Sequence, residues 1–498
     1  MPNHEAQDQL TSLRPDVIVV GGGNAGFTAA HAAATRGRSV VLLEKAAEGM
    51  AGGNSFYTAG ATRIVHGGLE DIRDLVDEDE RHTITTLPPY SEEEYLADLE
   101  KVTEGKNDPE LSAVLISESQ ATLRWLKDLG LRYRLMYERQ AYERPDGSYL
   151  FWGGLHVGNV DGGEGLIRDH TRVANDLGID IRYEHDVVDL LVEEGRVVGV
   201  RVDSNDGSGI ELRADSVILA AGGFEANAEL RERYLGDGWA KAKVRGTPYN
   251  TGRMLEAALD IGAVRGGDWH SCHSVQWDAF TPTNESNREL TNRLTRQSYP
   301  LGIIVNLDGQ RFLDEGADFR NYTYAKYGKE ILKQRGSVAY QVFDAGLRPM
   351  LRVEEYDMPG VSVEVADTIE ELASKIDVNP EALARTVRDF NSSIDRSVPF
   401  DPTVKDGRSA NIAPRKSNWA SPIESGPFYA FAVTCGITFT FGGLKSDEHG
   451  RVVDAKNLPI PGLFVCGEML GGLFSNNYPG GTGLAAGMVF GRRAGSLA

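Results

Sequence analysis

The sequence predicts an α/β fold with a parallel sheet, interrupted by an inserted α+β domain. Three observations support this prediction. The apolar run from Asp16 to Val20 is followed by a glycine-rich turn, an alanine-rich stretch and a second apolar run. From about Trp269 to Val433 the chain has more aromatic, proline and polar loop residues. Short apolar runs then return at Leu463 to Cys466, so we expect the C-terminal residues to complete the first domain.

The length and charge narrow the range of functions. A chain of 498 residues is too long for one ordinary core. We place a discontinuous first domain at residues 14–266 and 434–498 and a capping or substrate domain at 267–433. The formal net charge is -21. Such a surface repels polyphosphate, so we expect a small-molecule substrate and no nucleic-acid partner.

The cysteines and the hydropathy pattern bear on the compartment. Cys272, Cys435 and Cys466 lie far apart and form no C-x-x-C pair, which is typical of a reducing compartment. Residues Met1 to Leu13 are polar and lack the apolar core of a secretion signal. No stretch approaches the roughly 18 apolar residues that a transmembrane helix needs. We therefore expect a cytoplasmic protein without a transmembrane segment.

The first elements form one recognisable unit. Asp16 to Val20 and Ser39 to Leu43 are predicted as buried parallel strands, because they are short and continuously apolar. Ala25 to Arg36 between them is predicted as a helix, and Glu44 follows the second strand. Strand, glycine-rich turn, helix, strand and acid together predict a Rossmann-like βαβ unit.

Further elements follow along the chain. Asp108 to Leu129 has helical periodicity and ends at Gly130, a common helix terminator. The stretch from Ile179 to Val202 alternates and is split by Glu194-Gly195, which predicts a β-hairpin. Ser216 to Ala221 is another apolar run and is predicted as a buried strand.

The glycine-rich turn predicts a dinucleotide site. Gly21, Gly23 and Gly26 have the G-x-G-x-x-G spacing, in which the glycines allow a tight turn, close approach of a pyrophosphate and close packing of helix on strand. The helix N-terminus offers N–H groups to the phosphates. Glu44 lies where a carboxylate accepts hydrogen bonds from ribose hydroxyls. A glycine-rich turn without a ligand is the alternative, which the complete βαβ context disfavours.

Three more segments carry a family resemblance. The segments 52–55 (Gly-Gly-Asn-Ser), 217–223 and 462–468 resemble the flavoprotein family of fumarate reductases and succinate dehydrogenases, and the similarity extends from Asp16 to about Gly495. The resemblance implies a glutathione-reductase-like FAD-binding domain. It also implies non-covalent FAD, because members with covalent flavin have a histidine just before the Gly-Gly pair and residues 48–51 contain none.

A set of cofactor-binding residues follows from the motif and the resemblance together. Asn54, Ser55 and Glu468 supply the fixed polar groups that a large, flat flavin ring needs. Ordinary turn or helix-capping chemistry is the alternative for the Asn-Ser pair. The full predicted set is Gly21, Gly23, Asn24, Ala25, Gly26, Glu44, Lys45, Gly52, Gly53, Asn54, Ser55, Val187, Ala221, Gly222, Gly467, Glu468, Gly483 and Leu484.

The resemblance also points to catalytic residues. His273 falls where the family has a substrate-contacting histidine, and an imidazole can hydrogen-bond a carboxylate or carbonyl. Arg320 matches the arginine that donates a proton to one substrate carbon while the flavin N5 supplies hydride to its neighbour. The third candidate is Tyr478, in an Asn-Tyr-Pro-Gly-Gly segment. Structural roles are the alternative for each of these side chains.

Two departures from the family pattern change the substrate prediction. Phe439 stands where fumarate reductases have a histidine, and Tyr478 stands where they have a carboxylate-clamping arginine. Losing a charge-assisted contact costs about 1.5–3 kcal/mol. The acidic relay of the family is also not recognisable in residues 295–298. Succinate and fumarate are therefore disfavoured as substrates.

The Asn-Tyr-Pro-Gly-Gly segment is similar to those of two other branches, the tricarballylate dehydrogenases and the ketosteroid dehydrogenases. The residues around Arg320 and His273 favour the first branch. We expect an FAD-dependent dehydrogenase that acts on a CH–CH bond next to a carboxylate or carbonyl. Its electron acceptor is expected to be a separate partner, such as a membrane reoxidase. A ketosteroid-type dehydrogenase, a fumarate-type reductase and a flavin electron-transfer subunit of a biosynthetic complex remain as alternatives.

Overall fold

A computed structural model describes residues 14–203, 209–281 and 287–498. The polar stretch 1–13, on which part of the compartment prediction rests, lies outside the described residues. The chain divides into two compact units. Unit 1 contains the residues up to Leu230, Thr247–Cys272 and Phe439–Ala498, whereas unit 2 contains Arg231–Gly246 and His273–Thr438.

The elements are numbered in chain order. The strands are β1 (Val17–Val20), β2 (Val40–Leu43), β3 (Ala61–Thr62), β4 (Thr85–Thr86), β5 (Tyr133–Leu135), β6 (Tyr142–Glu143), β7 (Tyr149–Leu150), β8 (Val157–Asn159), β9 (Asp180–Arg182), β10 (Asp186–Glu193), β11 (Arg196–Asp203), β12 (Ile210–Arg213), β13 (Ser216–Leu219), β14 (Lys243–Val244), β15 (Arg265–Asp278), β16 (Ile303–Asn306), β17 (Ala339–Phe343), β18 (Val363–Ala366), β19 (Phe428–Leu444), β20 (Arg451–Val453) and β21 (Pro459–Val465). The helices are α1 (Asn24–Ala34), α2 (Gly53–Phe56), α3 (Leu69–Ile72), α4 (Glu92–Thr103), α5 (Pro109–Leu129), α6 (Tyr137–Gln140), α7 (Gly162–Asp176), α8 (Ala228–Leu235), α9 (Arg253–Asp260), α10 (Tyr327–Leu332), α11 (Val353–Tyr356), α12 (Ile369–Lys375), α13 (Pro380–Ser393) and α14 (Thr482–Leu497).

Unit 1 is built on the predicted parallel sheet. Its strand order is β20-β21-β13-β1-β2-β9, and only the edge strand β20 runs antiparallel to its neighbour. Every residue of β1, β2 and β13 is buried. These strands are covered on both faces, which explains why their sequences are continuously apolar. The predicted α/β fold is confirmed.

Two other predicted elements of unit 1 are also present. Helix α5 begins after Asp108, whose side chain accepts hydrogen bonds from the amides of Glu110 and Leu111, and it ends at Gly130 in the left-handed conformation. Strands β10 and β11 pair antiparallel through a turn at Glu194-Gly195. Both turn residues have positive φ, 49° and 78°, as a tight hairpin turn requires.

Unit 2 combines a mixed sheet with helices. The strand order is β14-β19-β17-β16, and β15 and β18 also pair with the long strand β19. Residues of β16, β17, α12 and α13 form its main core, among them Ile303, Val342, Leu372 and Phe390. The α+β character expected for the inserted part of the chain is therefore present in this unit.

Two observations concern the environment of the protein. In the described part of the chain, no helix is both long enough and apolar enough to cross a bilayer. Cys272, Cys435 and Cys466 are buried, and none of them forms a disulfide bond in the described part of the chain. Burial raises the pKa of Cys435 and of Cys466 to about 12, which keeps these two thiols protonated and unreactive at neutral pH.

Candidate active site

The turn between β1 and α1 excludes side chains at two positions. Gly21 has a φ of +107°, and a Cβ atom there would lie 2.4 Å from the carbonyl oxygen of Ala220. A Cβ on Gly26 would lie 1.9 Å from the carbonyl oxygen of Gly21. Helix α1 therefore packs on this turn at a distance that only glycine allows.

The start of α1 fits a pyrophosphate. Gly23, its N-cap, has no side chain, and the first turn 24–27 contains no carboxylate. The nearest atom to a Cβ on Gly23 would be the hydroxyl oxygen of Ser55 at 3.6 Å, so the backbone is open to close approach. The helix dipole and the N–H groups of an 11-residue helix favour an anion here. The dinucleotide predicted from the sequence thus has a suitable cradle.

Glu44 holds the glycine-rich turn. Its Oε2 accepts a hydrogen bond from the amide of Gly22 at 2.7 Å, and its Oε1 accepts one from the amide of Ala46 at 2.8 Å. Burial raises the pKa of Glu44, whereas these two N–H donors lower it. Nearby, Lys45 forms an ion pair at 3.1 Å with Asp186, the residue that precedes the buried Val187. The structure therefore groups Glu44, Lys45 and Val187 of the predicted cofactor set.

Three predicted residues that are distant in sequence meet at the start of α1. The amide of Asn24 donates to Ser55 Oγ at 3.0 Å, and Asn24 Nδ2 donates to the carbonyl oxygen of Leu484 at 3.0 Å. Asn24 Oδ1 contacts Nε2 of the buried His170 at 3.1 Å. Asn24 thus links the glycine-rich turn, α2 and the start of α14.

Asn54 belongs to a buried polar network that the sequence did not predict. Its Nδ2 donates to Glu225 Oε1 at 2.7 Å, and its Oδ1 accepts from the amide of Thr247 at 2.8 Å. Asn250 Nδ2 also donates to Glu225 Oε1, at 2.6 Å. Glu225 is fully buried. A carboxylate that follows a glycine pair in an apolar segment is the one sequence signal that could have identified it.

Glu468, a predicted cofactor residue, is the second carboxyl group of this network. Its Oε1 accepts hydrogen bonds from the amide of Thr440 at 2.7 Å and from Thr440 Oγ1 at 3.1 Å. Burial raises the pKa of Glu468 well above its ordinary value, and the negative charge of Glu225 raises it further. A Cβ on Gly223 would lie 2.1 Å from Glu468 Oε1, so this position also requires glycine.

Tyr478 lies in an aromatic cluster. Its ring is perpendicular to that of Phe439 at 5.1 Å between centroids, and it contacts Phe474 at 5.6 Å. Phe441 packs against Phe439 at 5.3 Å. The two departures from the family pattern, Phe439 and Tyr478, are therefore in direct contact. Their surroundings are more apolar than a site with a histidine and an arginine at these positions.

Arg63 anchors the segment that carries Tyr478, a role that the sequence did not predict. Arg63 is almost completely buried. Its Nε donates to the carbonyl oxygen of Gly480 at 2.9 Å, and its amide donates to that of Gly481 at 3.2 Å. Its guanidinium pairs with Asp98 at 3.0 Å. Arg63 is therefore a positioning residue for the Asn-Tyr-Pro-Gly-Gly segment.

In unit 2, Tyr324 contacts both of the predicted residues His273 and Arg320. The ring of Tyr324 is perpendicular to the imidazole of His273 at 5.1 Å, and the amide of Tyr324 donates to the carbonyl oxygen of Arg320 at 2.9 Å. Burial and the positive charge of Arg245 lower the pKa of His273 well below its ordinary value. His273 is therefore a neutral hydrogen-bonding group at physiological pH.

Gln297, in the segment 295–298, is a hydrogen-bond partner of Arg320. Arg320 Nη1 donates to Gln297 Oε1 at 2.6 Å. The amide of Gln297 donates to Oε2 of the fully buried Glu355 at 2.8 Å, and Arg352 Nε lies 3.5 Å from Glu355 Oε1. This carboxylate comes from α11, and Glu355 is 58 residues downstream of Gln297. No sequence pattern predicted its approach.

The segment that precedes Arg320 is held by a buried ion pair. Arg311 Nη2 lies 2.5 Å from Glu315 Oε2, and Arg311 Nε donates to Glu315 Oε1 at 3.0 Å. Glu315 Oε1 also accepts from the amide of Ile304 at 2.8 Å. These residues fix the loop that leads to Arg320, so Arg311 and Glu315 have a structural role.

Comparison with known proteins shows which family the chain is similar to. The family model described as "FAD binding domain" matches residues 16–484. A probable fumarate reductase of Shewanella frigidimarina is 30% identical over 97% of this chain and 74% of its own length. A 3-oxosteroid 1-dehydrogenase of Mycolicibacterium smegmatis is 25% identical over 97% of this chain and 96% of its own length. The open conformation of a flavocytochrome c3 fumarate reductase has a TM-score of 0.73 at 28% identity, covering 99% of this chain and 79% of that one.

The chain belongs to the fumarate reductase and succinate dehydrogenase family of flavoproteins. It is an FAD-dependent oxidoreductase that acts on carbon–carbon bonds. The predicted family, fold class and FAD cofactor are confirmed.

Proposed function

We propose that this protein dehydrogenates a CH–CH bond next to a carboxylate and that its substrate is a polycarboxylate of the tricarballylate type. The observation that carries the proposal is the arrangement of Arg320. Its guanidinium is oriented by the 2.6 Å hydrogen bond to Gln297, and its backbone is tied to the residue that packs against His273. A positioned cation and a neutral imidazole suit the binding of a carboxylate and the polarisation of the adjacent carbon.

The residues of unit 1 would hold the cofactor. The start of α1 and the glycine-rich turn would bind the pyrophosphate, Glu44 the ribose, and the segment 52–55 with Glu468 the flavin end. The bound FAD supplies a hydride acceptor at N5. Removing the partner proton is the harder task, because a C–H group beside a carboxylate is a weak acid.

Water held around the Arg320 guanidinium, or Arg320 itself after it has passed its own proton to solvent, would accept that proton. The ordinary pKa of Arg320 is far too high for a base in water, so the step depends on a closed site and on an outlet for the proton. Gln297 would keep the guanidinium in place, and the buried Glu355 would hold Gln297 through its backbone amide. His273 and Tyr478 would contact the activating carboxylate or carbonyl as uncharged hydrogen-bonding groups.

A ketosteroid-type dehydrogenase is the second candidate, and a specific observation favours it. Tyr478 packs with Phe439 and Phe474, so the surroundings of this hydroxyl are aromatic. An apolar wall and one phenolic donor would suit a ketone on a large apolar substrate. A fumarate-type reductase is supported less, because Phe439 and Tyr478 replace the histidine and the carboxylate-clamping arginine expected for it. An electron-transfer subunit is also supported less, because it does not require the observed contacts of Arg320.

The experiment is anaerobic bleaching of the bound flavin. Tricarballylate, succinate and a 3-ketosteroid are each added to the holoprotein, and the loss of flavin absorbance is followed. We expect tricarballylate to bleach the flavin faster than succinate and the steroid to have no effect. Bleaching by the steroid alone would refute the proposal. An Arg320→Ala variant that keeps its flavin and still bleaches at the wild-type rate would remove the proposed role of Arg320.

The reoxidation of the flavin requires a separate acceptor, and we propose a membrane reoxidase or another electron carrier in the cytoplasm. Cysteines that are buried and not disulfide-bonded in the described residues support a compartment that keeps thiols reduced. Comparing reoxidation rates with and without a membrane fraction would test this partner. Equal rates in the two samples would count against it.

A further inference from the structure

Arg245 extends the ladder between β14 and β19. These strands pair in parallel, with Val244 beside Ile437, and the amide of Arg245 donates to the carbonyl oxygen of Ile437 at 2.7 Å. The next pair in this register is Arg245 and Thr438. Paired side chains lie on the same face of a sheet. In agreement, Arg245 Nη1 donates to Thr438 Oγ1 at 2.9 Å.

Strand β15 pairs with β19 as well. Two contacts fix its direction. The amide of Ala279 donates to the carbonyl oxygen of Ala432 at 3.1 Å, and a Cβ on Gly436 would lie 2.8 Å from the Cβ of Trp277. The residue numbers rise along one strand as they fall along the other, so β15 is antiparallel to β19 in this region.

The register brings His273 and Arg245 to the same face of the sheet. Counting from Ala279 and Ala432 places His273 opposite Thr438, and counting from Trp277 and Gly436 makes it a diagonal neighbour of Thr438, so both contacts put His273 on that face. Arg245 and His273 are then two strand spacings apart, roughly 10 Å, with Thr438 between them. This arrangement explains why the positive charge of Arg245 contributes to lowering the pKa of His273.

We propose that Arg245 is a carboxylate-binding residue of the substrate site and that it selects substrates with an additional carboxylate. This inference rests on the proposed function. A guanidinium is a planar fork of N–H donors that matches a carboxylate, and the neutral His273 can donate to the same group without adding charge. Arg245 thereby supplies a cationic contact for a substrate carboxylate, which the uncharged Tyr478 does not provide.

The test compares two ligands that differ by one carboxymethyl group, tricarballylate and succinate. Their dissociation constants are measured by anaerobic perturbation of the flavin spectrum in the wild type and in Arg245→Met. We expect the wild type to prefer tricarballylate by about ten- to a hundredfold, the value of one charge-assisted contact. Arg245→Met is expected to bind both ligands alike, and an unchanged preference in this variant would overturn the inference.

Controls separate this inference from the proposed function. Lys241→Met removes an exposed positive charge from the same segment and should leave the preference unchanged. Arg245→Lys keeps the charge without the fork and should retain part of the preference, so it provides a readout if the methionine variant does not fold. A wild type that binds neither carboxylate would refute the proposed function along with the inference. Intact preference in both Arg245 variants would refute the inference alone.

Discussion

Glu225 and Glu468 are two buried carboxyl groups that interact electrostatically, and burial raises the pKa of both. The Oε1 atom of Glu225 is occupied by the N–H groups of Asn54 and Asn250, which favour its charged form. Burial raises the pKa of Glu468 well above its ordinary value, and the negative charge of Glu225 raises it further. Glu468 has the more strongly raised pKa of the two, so it is the carboxyl group that keeps a proton in the folded protein.

This proton makes the stability of the protein depend on pH. Above about pH 4.5, the ordinary value for a glutamate, the unfolded chain releases a proton that folded Glu468 retains. The free energy of unfolding therefore falls as the pH rises toward the raised pKa. Glu468→Gln keeps an N–H donor toward Glu225 but removes the titration. We expect its pH slope to be flatter by up to about 1.4 kcal/mol per pH unit.

Urea unfolding of the holoprotein at a series of pH values, at fixed FAD concentration, measures this slope. Glu211→Gln, at an exposed position of β12, is the matched control and should reproduce the wild-type slope. Parallel curves for the wild type and Glu468→Gln would show that the pair holds no extra proton.

A methyl group at Gly26 should disrupt the cofactor cradle. The added Cβ would overlap the carbonyl oxygen of Gly21 at 1.9 Å, so helix α1 would have to move away from the turn. We expect Gly26→Ala to lose stability by about 2 kcal/mol or more and to be purified with little FAD. The ratio of flavin to protein absorbance and urea unfolding provide the two measurements.

Gly49→Ala is the control for this variant. A Cβ on Gly49 would have no atom within 4 Å, and this glycine does not have the positive φ that strains other residues. Its flavin content should match the wild type. Normal flavin content in Gly26→Ala would mean that α1 is not packed against the turn as described.

The sequence was most informative where local pattern and fold coincide. Strands β1, β2 and β13 are buried on both faces, so each appears as an unbroken apolar run. Helix α5 has a capping aspartate and a terminating glycine at its predicted ends. These signals are local, and local signals can be read from one sequence.

The sequence was least informative about contacts over long separations. Asn54 and Glu225 are 171 residues apart, and Arg245 is 193 residues from Thr438. Neither pair leaves a periodic or compositional trace, because its members belong to different elements that meet only in the folded chain. The family resemblance predicted Arg320 as a candidate catalytic residue. It could not point to Glu355, because Glu355 belongs to α11, outside the segments that carry the resemblance.

A buried histidine should limit stability in acid. His31 Nε2 contacts His170 Nδ1 at 3.1 Å, and His170 Nε2 contacts Asn24 Oδ1 at 3.1 Å. Burial lowers the pKa of His31 to about 3, so the folded protein keeps it neutral while the unfolded chain protonates it below about 6.5. The free energy of unfolding therefore falls as the pH decreases through this window.

His31→Gln keeps an N–H donor toward His170 and removes the titrating ring. We expect its acid limb to be shallower than that of the wild type by up to about 1.4 kcal/mol per pH unit. Urea unfolding at several pH values within the window gives the comparison. The exposed His270, changed to glutamine, is the control. The prediction fails if both variants follow the wild-type curve.

Removing Arg63 should destabilise the segment that carries Tyr478. Arg63→Met leaves Asp98 without its ion pair and the carbonyl oxygen of Gly480 without its side-chain donor. Breaking a buried pair from one side costs about 3–5 kcal/mol. Urea unfolding measures the loss, and Arg63→Met combined with Asp98→Asn should recover part of it. A double variant as unstable as the sum of the two single ones would show that the pair is not coupled.

The orientation of Arg320 by Gln297 should affect turnover more than binding. Gln297→Leu removes the Oε1 acceptor that holds the guanidinium at 2.6 Å, whereas Gln297→Glu keeps an acceptor there. A misplaced proton-transfer group lowers the rate of the chemical step, so we expect kcat for tricarballylate to fall about tenfold to a hundredfold in the leucine variant, with a smaller change in KM.

The glutamate variant should retain more activity but lose it at low pH, as the new carboxylate is protonated and its attraction to Arg320 weakens. Gln310→Leu, at an exposed position, is the control, and the flavin-to-protein ratio verifies folding. If the leucine variant raises KM and leaves kcat unchanged, Gln297 contributes to substrate binding and does not position Arg320.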